Sequence, residues 1–322
     1  MLTLKQAKVG MADKIAAAVV DQFQRNSIVL DNLPFDDAVS PTGGSTLVYG
    51  YEFIKTPAKA GGRKINEEYT PQDEIDETKA VNLAILGGSF QIDRVIAASS
   101  SRRKNEVEKQ LRGKVKATIN EFQYCFINGD YTTSQGKQFD GLKKQLRGTD
   151  SIIDCAKLNV SGEMTRAKAN ILVNAIDSAI LDLADKPSFI ASSKKGIVAI
   201  RSAARELGYL TPAEDAFGRK VDTYDGTPIV NLGKYYNDSA EKEIIETAPS
   251  TGKTDIVIWC QGPSLVHGVS LTGSKLIDVL TPDFKDAKAV HQGMVEMVTA
   301  VVVENSRAAA ILQNIQVAEP VM

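Results

Sequence analysis

The sequence predicts an α+β fold organised around one long amphipathic helix, and three stretches carry this prediction. Apolar residues recur every three or four positions between 101 and 128, which is the spacing of one helix face. Before this stretch, two runs rich in β-branched and aromatic residues flank a polar segment at 56–78, the pattern of a hairpin. Near the end, residues 290–303 form an almost continuous apolar run, typical of a strand covered on both faces.

Length and composition predict one domain with long extensions. The 322 residues are 43% hydrophobic and 24% charged, and the formal net charge is −2. A single core stops growing near about 250 to 300 residues, so part of the chain should extend from it. The near-neutral charge gives no field for nucleic-acid recognition, and no apolar run reaches the roughly 18 residues of a membrane span. The three cysteines lack metal-ligand spacing, and their odd number favours a reducing cytoplasm over a disulfide framework.

The N-terminal segment, residues 3–25, predicts an amphipathic helical arm. It is rich in alanine and carries apolar residues at near-helical intervals, among them Val19 and Phe23. Because this apolar stripe is thin for a core helix, we expect the arm to dock on another surface.

A long hairpin is predicted between residues 45 and 93. Its return strand carries alternating apolar residues, which are Val81, Leu83, Ile85, Phe90 and Ile92. Gly87 and Gly88 interrupt this alternation and predict a β-bulge. The tip, residues 56–78, is strongly polar and longer than the loops of compact domains, so we expect it to reach towards a partner.

The long helix is predicted to span 101–128 and to bury one face. Its apolar stripe consists of Val107, Leu111, Val115, Ile119, Phe122 and Phe126. Such a helix is roughly 40 Å long and needs an equally long surface, which the late apolar strand would supply. Gly113 predicts a bend, because glycine inside a helix costs about 1 kcal/mol relative to alanine. Asn128 and Gly129 predict that the helix ends through a left-handed residue.

A second α+β unit is predicted after residue 151. Its first helix is expected over 162–184, with an inward face formed by Met164, Ala167, Ile171, Leu172, Ala175, Ile176, Ala179, Ile180 and Leu183. A second helix should begin at a serine cap, Ser192 or Ser193, and end at Gly208. Short strands are expected at 189–191, 255–260 and 307–317, with a hairpin turn at 225–226.

No catalytic, cofactor or metal site is predicted. The segment 250–254, STGKT, resembles part of a phosphate loop, but Thr247 stands where the first glycine would be and a strand follows instead of a helix. His267 and His291 have no carboxylate or cysteine at ligand spacing. The acids within 56–78 are interpreted as an exposed charged surface, because general acid–base catalysis would require burial.

The order of these features resembles the major capsid proteins of tailed bacteriophages, a fold of the Hong Kong 97 type that encapsulins and the herpesvirus capsid floor share. The most specific similarities are FINGD at 126–130 and FDGL at 139–142, which end the long helix and follow it. The segment GTPIV at 226–230 is similar to a Gly-x-Pro-Val strand of the family. The resemblance extends over nearly the whole chain.

By this resemblance, the chain is expected to divide into five segments. They are an N-terminal arm (1–36), an extended β-hairpin loop (37–93), a peripheral domain with the long spine helix (94–150), an axial domain (151–265) and a return to the peripheral domain (266–322).

The resemblance implies a structural role and no enzymatic activity. Pentamers and hexamers of the chain would form an icosahedral shell that encloses double-stranded DNA through non-specific contacts, in a virion assembled in the host bacterial cytoplasm. The expected partners are the chain itself, a scaffolding protein, a portal and decoration proteins, with no cofactor and no membrane. Subunit contacts are expected from the arm and the hairpin, at Val19, Phe23, Lys55, Lys59, Arg63, Lys64, Glu67 and Glu68.

Two alternatives remain open at this point. Within the same fold, the chain would form an encapsulin-type compartment that encloses an enzyme instead of DNA. In another class, it would be a cytoplasmic α+β enzyme with residues 56–78 as a lid over its active site.

Overall fold

The computed structural model describes residues 27–38, 47–56, 60–69, 75–95, 100–208, 210–214, 220–237, 240–271, 277–282 and 288–319. The arm predicted at 3–25 lies outside these residues. The helices are α1 (Ile28–Asn32), α2 (Ser100–Asn128), α3 (Leu142–Gln145), α4 (Arg166–Leu181) and α5 (Lys194–Leu207).

The strands alternate with these helices and confirm a mixed α+β architecture. In chain order they are β1 (Phe35–Asp37), β2 (Val48–Thr56), β3 (Ile75–Asn82), β4 (Ala84–Asp93), β5 (Ile152–Asp154), β6 (Phe189–Ser192), β7 (Leu210–Glu214), β8 (Lys220–Tyr224), β9 (Thr227–Val230), β10 (Lys234–Asn237), β11 (Ala240–Glu243), β12 (Lys253–Trp259), β13 (Val266–Ser270), β14 (Asp278–Leu280), β15 (Val290–Val303) and β16 (Ala309–Gln316).

These strands form two main sheets and two ribbons within the described residues. In the first sheet, β15 is central: it pairs with β13 and β14 along one edge and with β4 along the other, and β1 extends the sheet beyond β13. The second sheet has the order β5-β16-β12-β6-β9-β8-β7. The two-stranded ribbons are β2–β3 and β10–β11.

Helix α2 lies on the first sheet, against β4 and β15, as its apolar stripe predicted. The stripe residues from Leu111 to Phe126 are buried, and Val107 is partly buried against the same core. Strand β15 alternates between buried and partly exposed residues in its first half and is buried on both faces in its second half. The prediction that the late strand supports the long helix is therefore confirmed.

The end of α2 is correct in position, but its predicted geometry is wrong. The helix stops at Asn128, yet neither Asn128 nor Gly129 has a positive φ. A Cβ at Gly129 would instead overlap the carbonyl oxygens of Phe139 and Cys125, so glycine is required for a close approach of two backbones. The amide of Gly141 donates to the carbonyl of Gly129 at 3.0 Å. The FINGD and FDGL segments thus form one corner.

The return strand of the predicted hairpin divides at Leu83. Strand β3 pairs with β2, whereas β4 pairs with β15 in the first sheet. Leu83 and Ala84 are both buried, so the alternation changes phase there, and Ile85 is exposed. The predicted bulge at Gly87 and Gly88 is wrong, because the register between β4 and β15 has no shift along the whole of β4. The irregularity is a change of sheet four residues earlier than these glycines.

Helices α4 and α5 pack together and against the second sheet around their own apolar cluster. The helix predicted over 162–184 is shorter, because the Thr165 hydroxyl caps it by accepting a hydrogen bond from the Lys168 amide. Ile171, predicted to face inward, is 57% exposed, whereas Ala169 and Val173 are buried. Ala167, which was also predicted to face inward, is exposed as well, so the inward face is correct for most residues and wrong at these two.

The cap and the end of α5, and the turn between β8 and β9, agree with the prediction. Ser193 is the serine that caps α5, and its hydroxyl accepts from the Gly196 amide. Gly208 ends this helix in the left-handed region, with φ of 80°. Asp225 and Gly226 both have positive φ, which is the geometry of a two-residue turn between β8 and β9.

Candidate assembly surface

The ribbon formed by β2 and β3 carries the segment that the sequence singled out. Its strands pair from Val48 and Asn82 at the base to Thr56 and Ile75 at the far end. At about 3.3 Å per residue, eight paired positions carry the tip roughly 25 Å from the base. Near the base, Tyr51 is buried, and a cavity of about 200 Å³ separates the ribbon from the segment after α2.

Four polar side chains join the base of the ribbon to the first sheet, and we call them the basal cluster: Asp36, Tyr49, His267 and Glu304. The Tyr49 hydroxyl donates to the Asp36 carboxylate at 2.8 Å, and its ring meets the ring of His267 edge-on at 6.2 Å. Glu304 places a carboxylate oxygen 3.9 Å from Nε2 of His267. The cluster thereby links β1, β2 and β13 to the end of β15.

Burial shifts the pKa values of three groups in the basal cluster, His267, Glu304 and Tyr49. It lowers the pKa of His267 to about 4, against a smaller opposing effect of the Asp36 carboxylate. It raises the pKa of Glu304, and the nearby Asp36 charge raises it further. It also raises the pKa of the Tyr49 hydroxyl, which the hydrogen bond to Asp36 keeps protonated. At neutral pH, His267 is therefore an uncharged, fully buried ring, and neither of its nitrogens has a hydrogen-bond partner among the described residues.

At the far end of the ribbon, residues 63–69 form an ordered turn, which we call the tip turn. The amide of Glu67 donates to the carbonyl of Lys64 at 3.2 Å, and Asn66 lies in the left-handed region with φ of 68°. Arg63 donates from Nη1 to the carbonyls of Lys64 and Glu67, at 3.4 and 3.2 Å, and its guanidinium lies over the ring of Tyr69. The tip turn is therefore a structured element with its own internal contacts.

The structure brings together half of the predicted contact residues. Arg63, Lys64, Glu67 and Glu68 are all exposed in the tip turn. Lys55 belongs to β2, on the strand that leads to the turn. The other three, Val19, Phe23 and Lys59, lie outside the described residues. The sequence did not indicate the basal cluster, because its members are separated by up to 268 positions along the chain.

The two histidines, two of the three cysteines and the 250–254 segment, which were considered for catalysis or metal binding, lie in the core or in a turn. In the part of the chain that the structure describes, no group of three or more His, Cys, Asp or Glu side chains could hold a metal ion. The thiols of Cys125 and Cys260 are buried, and burial raises the pKa of Cys260 to about 11. The 250–254 segment forms a turn that enters β12. No described helix is both long and apolar enough to cross a membrane.

Comparison with known proteins identifies the fold. Neither a protein-family model nor a curated protein matches the chain. Among solved structures, it is similar to a chain of the holo encapsulin complex from Synechococcus elongatus, with a TM-score of 0.62 and 15% identity over 100% of this chain and 98% of that chain. It is similar to the capsid of a native GTA particle, with a TM-score of 0.52 and 12% identity over 95% and 92% of the two chains.

The mature capsid of bacteriophage PhiM1 is a third match, with a TM-score of 0.51 and 10% identity over 89% of this chain and 87% of that one. At such low identities the likeness shows the fold alone. The chain has the Hong Kong 97-type fold of phage capsid and encapsulin subunits, as the resemblance in its sequence implied.

Proposed function

We propose that this chain, which has the Hong Kong 97-type fold, assembles with copies of itself into a closed icosahedral shell of pentamers and hexamers. The observation that carries this proposal is the extent of the likeness, which spans 100% of this chain and 98% of the encapsulin chain. The whole of this chain, and all but 2% of the encapsulin chain, therefore has a counterpart in the other. The role of the protein is then structural.

Within this shell, we propose for each segment of the chain the role that the resemblance in its sequence implied. The arm (1–36) and the extended loop (37–93) would overlap neighbouring copies through Val19, Phe23, Lys55, Lys59, Arg63, Lys64, Glu67 and Glu68. The spine helix and the return segment (94–150 and 266–322) would form the peripheral domain. Residues 151–265 would form the axial domain around the symmetry axes. The tip turn is exposed and held by its own hydrogen bonds, which supports this assignment, because a contact prepared in advance loses less conformational entropy on binding.

For the contents of the shell, we propose double-stranded DNA, with a portal, a scaffolding protein and decoration proteins as partners in a virion. The matches to capsids of a GTA particle and of a bacteriophage support this proposal. The near-neutral charge of the chain is consistent with a wall that holds DNA only weakly.

A compartment of the encapsulin type is the second candidate. The full-length match to an encapsulin chain favours it. In that case the shell would enclose a protein, and no portal would be needed. The third possibility, an enzyme with residues 56–78 as a lid, gains no support from the tip, because Glu67 and Glu68 are exposed there and general acid–base groups need burial.

Expression of the full chain, followed by electron microscopy of the purified particles and analysis of their contents, tests these alternatives. We expect closed shells. Nucleic acid that survives nuclease treatment would support the virion, whereas a stoichiometric co-purified protein with no protected nucleic acid would support the compartment. A uniform small oligomer with no shells, both for the chain alone and with scaffolding protein, would contradict the proposed function.

A further inference from the structure

Ile65 stands at the apex of the tip turn with 90% of its surface exposed. It occupies the first central position of the turn between Lys64 and Glu67, on the segment that joins the far ends of β2 and β3. Single exposed apolar residues are common on protein surfaces. This one differs because the turn that carries it is held by its own hydrogen bonds.

Two of the four charged side chains around Ile65, those of Arg63 and Glu67, are engaged within the turn. Arg63 bonds two carbonyls of the turn and lies 5.4 Å from the centre of the Tyr69 ring. The carboxylate of Glu67 accepts from the amide of Lys64 at 3.3 Å. All the hydrogen bonds and ring contacts that residues 60–69 make with described residues stay within 60–69. These charges therefore stabilise the shape of the turn, and Ile65 is left as its unsatisfied apolar group.

We infer that Ile65 is the apolar anchor through which the hairpin of one copy binds a second copy of this chain, and that Arg63 and Glu67 position it. This inference rests on the proposed function and deepens it, since it replaces a diffuse charged contact with one side chain. Interfaces commonly concentrate their free energy in a few desolvated side chains surrounded by weakly contributing polar groups. A turn held by its own hydrogen bonds presents such a side chain at little cost in conformational entropy.

A second copy is the partner that the geometry favours. Residues 60–69 make their hydrogen bonds and ring contacts with described residues among themselves, and Ile65 is 90% exposed, so no described part of its own subunit covers Ile65. In a closed assembly of identical chains, every copy offers the same tip and the same receiving surface, and each contact is repeated around the symmetry axes. The contact made by one isoleucine is then repeated for every copy in the shell.

The test compares Ile65→Asp with Ile65→Leu in the full chain. Loss of one buried aliphatic contact should raise the protein concentration required for assembly on the order of tenfold or more. Ile65→Asp should therefore remain folded, with an unchanged unfolding transition of the unassembled subunit, and fail to form shells at concentrations where the natural chain assembles. Ile65→Leu should assemble as the natural chain does.

Leu280→Asp is the matched control, because Leu280 is also aliphatic, is 55% exposed and lies on β14, in the return segment to which no subunit contact is assigned. It should leave assembly intact. Arg63→Lys keeps the charge but loses the planar fork that reaches two carbonyls, so it should weaken assembly. Equal behaviour of Arg63→Lys and the natural chain would contradict the positioning role.

These outcomes distinguish a failure of the proposed function from a failure of the Ile65 anchor. If the natural chain forms no shells under any condition, the proposed function fails. If the natural chain assembles and Ile65→Asp assembles equally well at the same concentration, the proposed function stands and the anchor is wrong. Loss of assembly in Leu280→Asp to the same extent as in Ile65→Asp would also overturn the anchor, because the effect would not be specific to the tip.

Discussion

At Gly113, the long helix α2 carries a glycine on its exposed side, where an added Cβ would meet no atom within 4 Å. The helix continues without interruption across this position. Nothing in the surrounding packing requires a glycine here, in contrast to Gly129, where a Cβ would overlap backbone oxygens. The bend expected at Gly113 stays a prediction.

We therefore predict that Gly113→Ala stabilises the subunit by about 1 kcal/mol, because alanine restricts the unfolded chain and favours the helix. Chemical denaturation of the unassembled protein measures this difference. Gly129→Ala is the contrasting variant and should destabilise the subunit, since the corner between FINGD and FDGL would have to open. A Gly113→Ala protein that is less stable than the natural chain would show that the glycine is needed for the shape of the helix.

The buried histidine of the basal cluster makes stability depend on pH. In the unfolded chain His267 has an ordinary pKa of about 6.5, whereas burial in the folded subunit lowers this pKa to about 4. Between these two values the unfolded state binds a proton that the folded state does not, so stability falls as the pH falls through this window. Glu304 has a raised pKa in the folded state and acts in the opposite sense, because it takes up a proton more readily there.

His267→Gln should remove most of this pH dependence. We expect the natural chain to lose about 3 kcal/mol more than the variant when the pH is lowered from 7 to 4, as follows from the pKa difference of His267. Denaturation of the two unassembled proteins at a series of pH values provides the comparison. Parallel stability curves for the two proteins over this range would show that His267 is accessible to protons in the folded state.

At the scale of elements, α2 was predictable because its signal is local. Six apolar residues at helical spacing define a buried face whatever lies beneath it, and the position of the helix end follows from Asn128 and Gly129 in the same stretch. The division of the hairpin at Leu83 was not predictable in this way. It depends on the pairing of β4 with β15, which lies about 200 positions later in the chain.

The same limit applies to the candidate site. The sequence indicated the tip because its length and polarity are unusual for a loop, but it pointed to the charges rather than to Ile65. That distinction needs the turn itself, in which Arg63 and Glu67 are engaged and Ile65 is not. The basal cluster joins residues as far apart as Asp36 and Glu304, and no spacing rule connects them.

Replacement of residues 57–74 by an Asn-Gly turn should separate folding from assembly. Thr56 and Ile75 are paired at the far end of the ribbon, so a two-residue turn can close it without strain on the strands. We expect a folded subunit with an unchanged unfolding transition that forms no shells, as judged by circular dichroism and sedimentation. Full assembly of the shortened protein would refute the role of the tip between subunits.

At the scale of the whole molecule, two apolar clusters organise the described chain. One lies between α2, the first sheet and one face of the second sheet, and the other lies between α4, α5 and the opposite face of the second sheet. The ribbon adds little to either cluster beyond its base, where Tyr51 and Val81 are buried. Because so long a segment lies outside the apolar clusters of its own subunit, we expect contacts with other copies to bury it.

Cryo-electron microscopy of the assembled full-length protein tests this account most directly. The predicted result is a closed shell of pentamers and hexamers in which the tip turn of each copy contacts a neighbouring copy, with Ile65 buried between them. A compact monomer that persists at high protein concentration, with and without scaffolding protein, would contradict it.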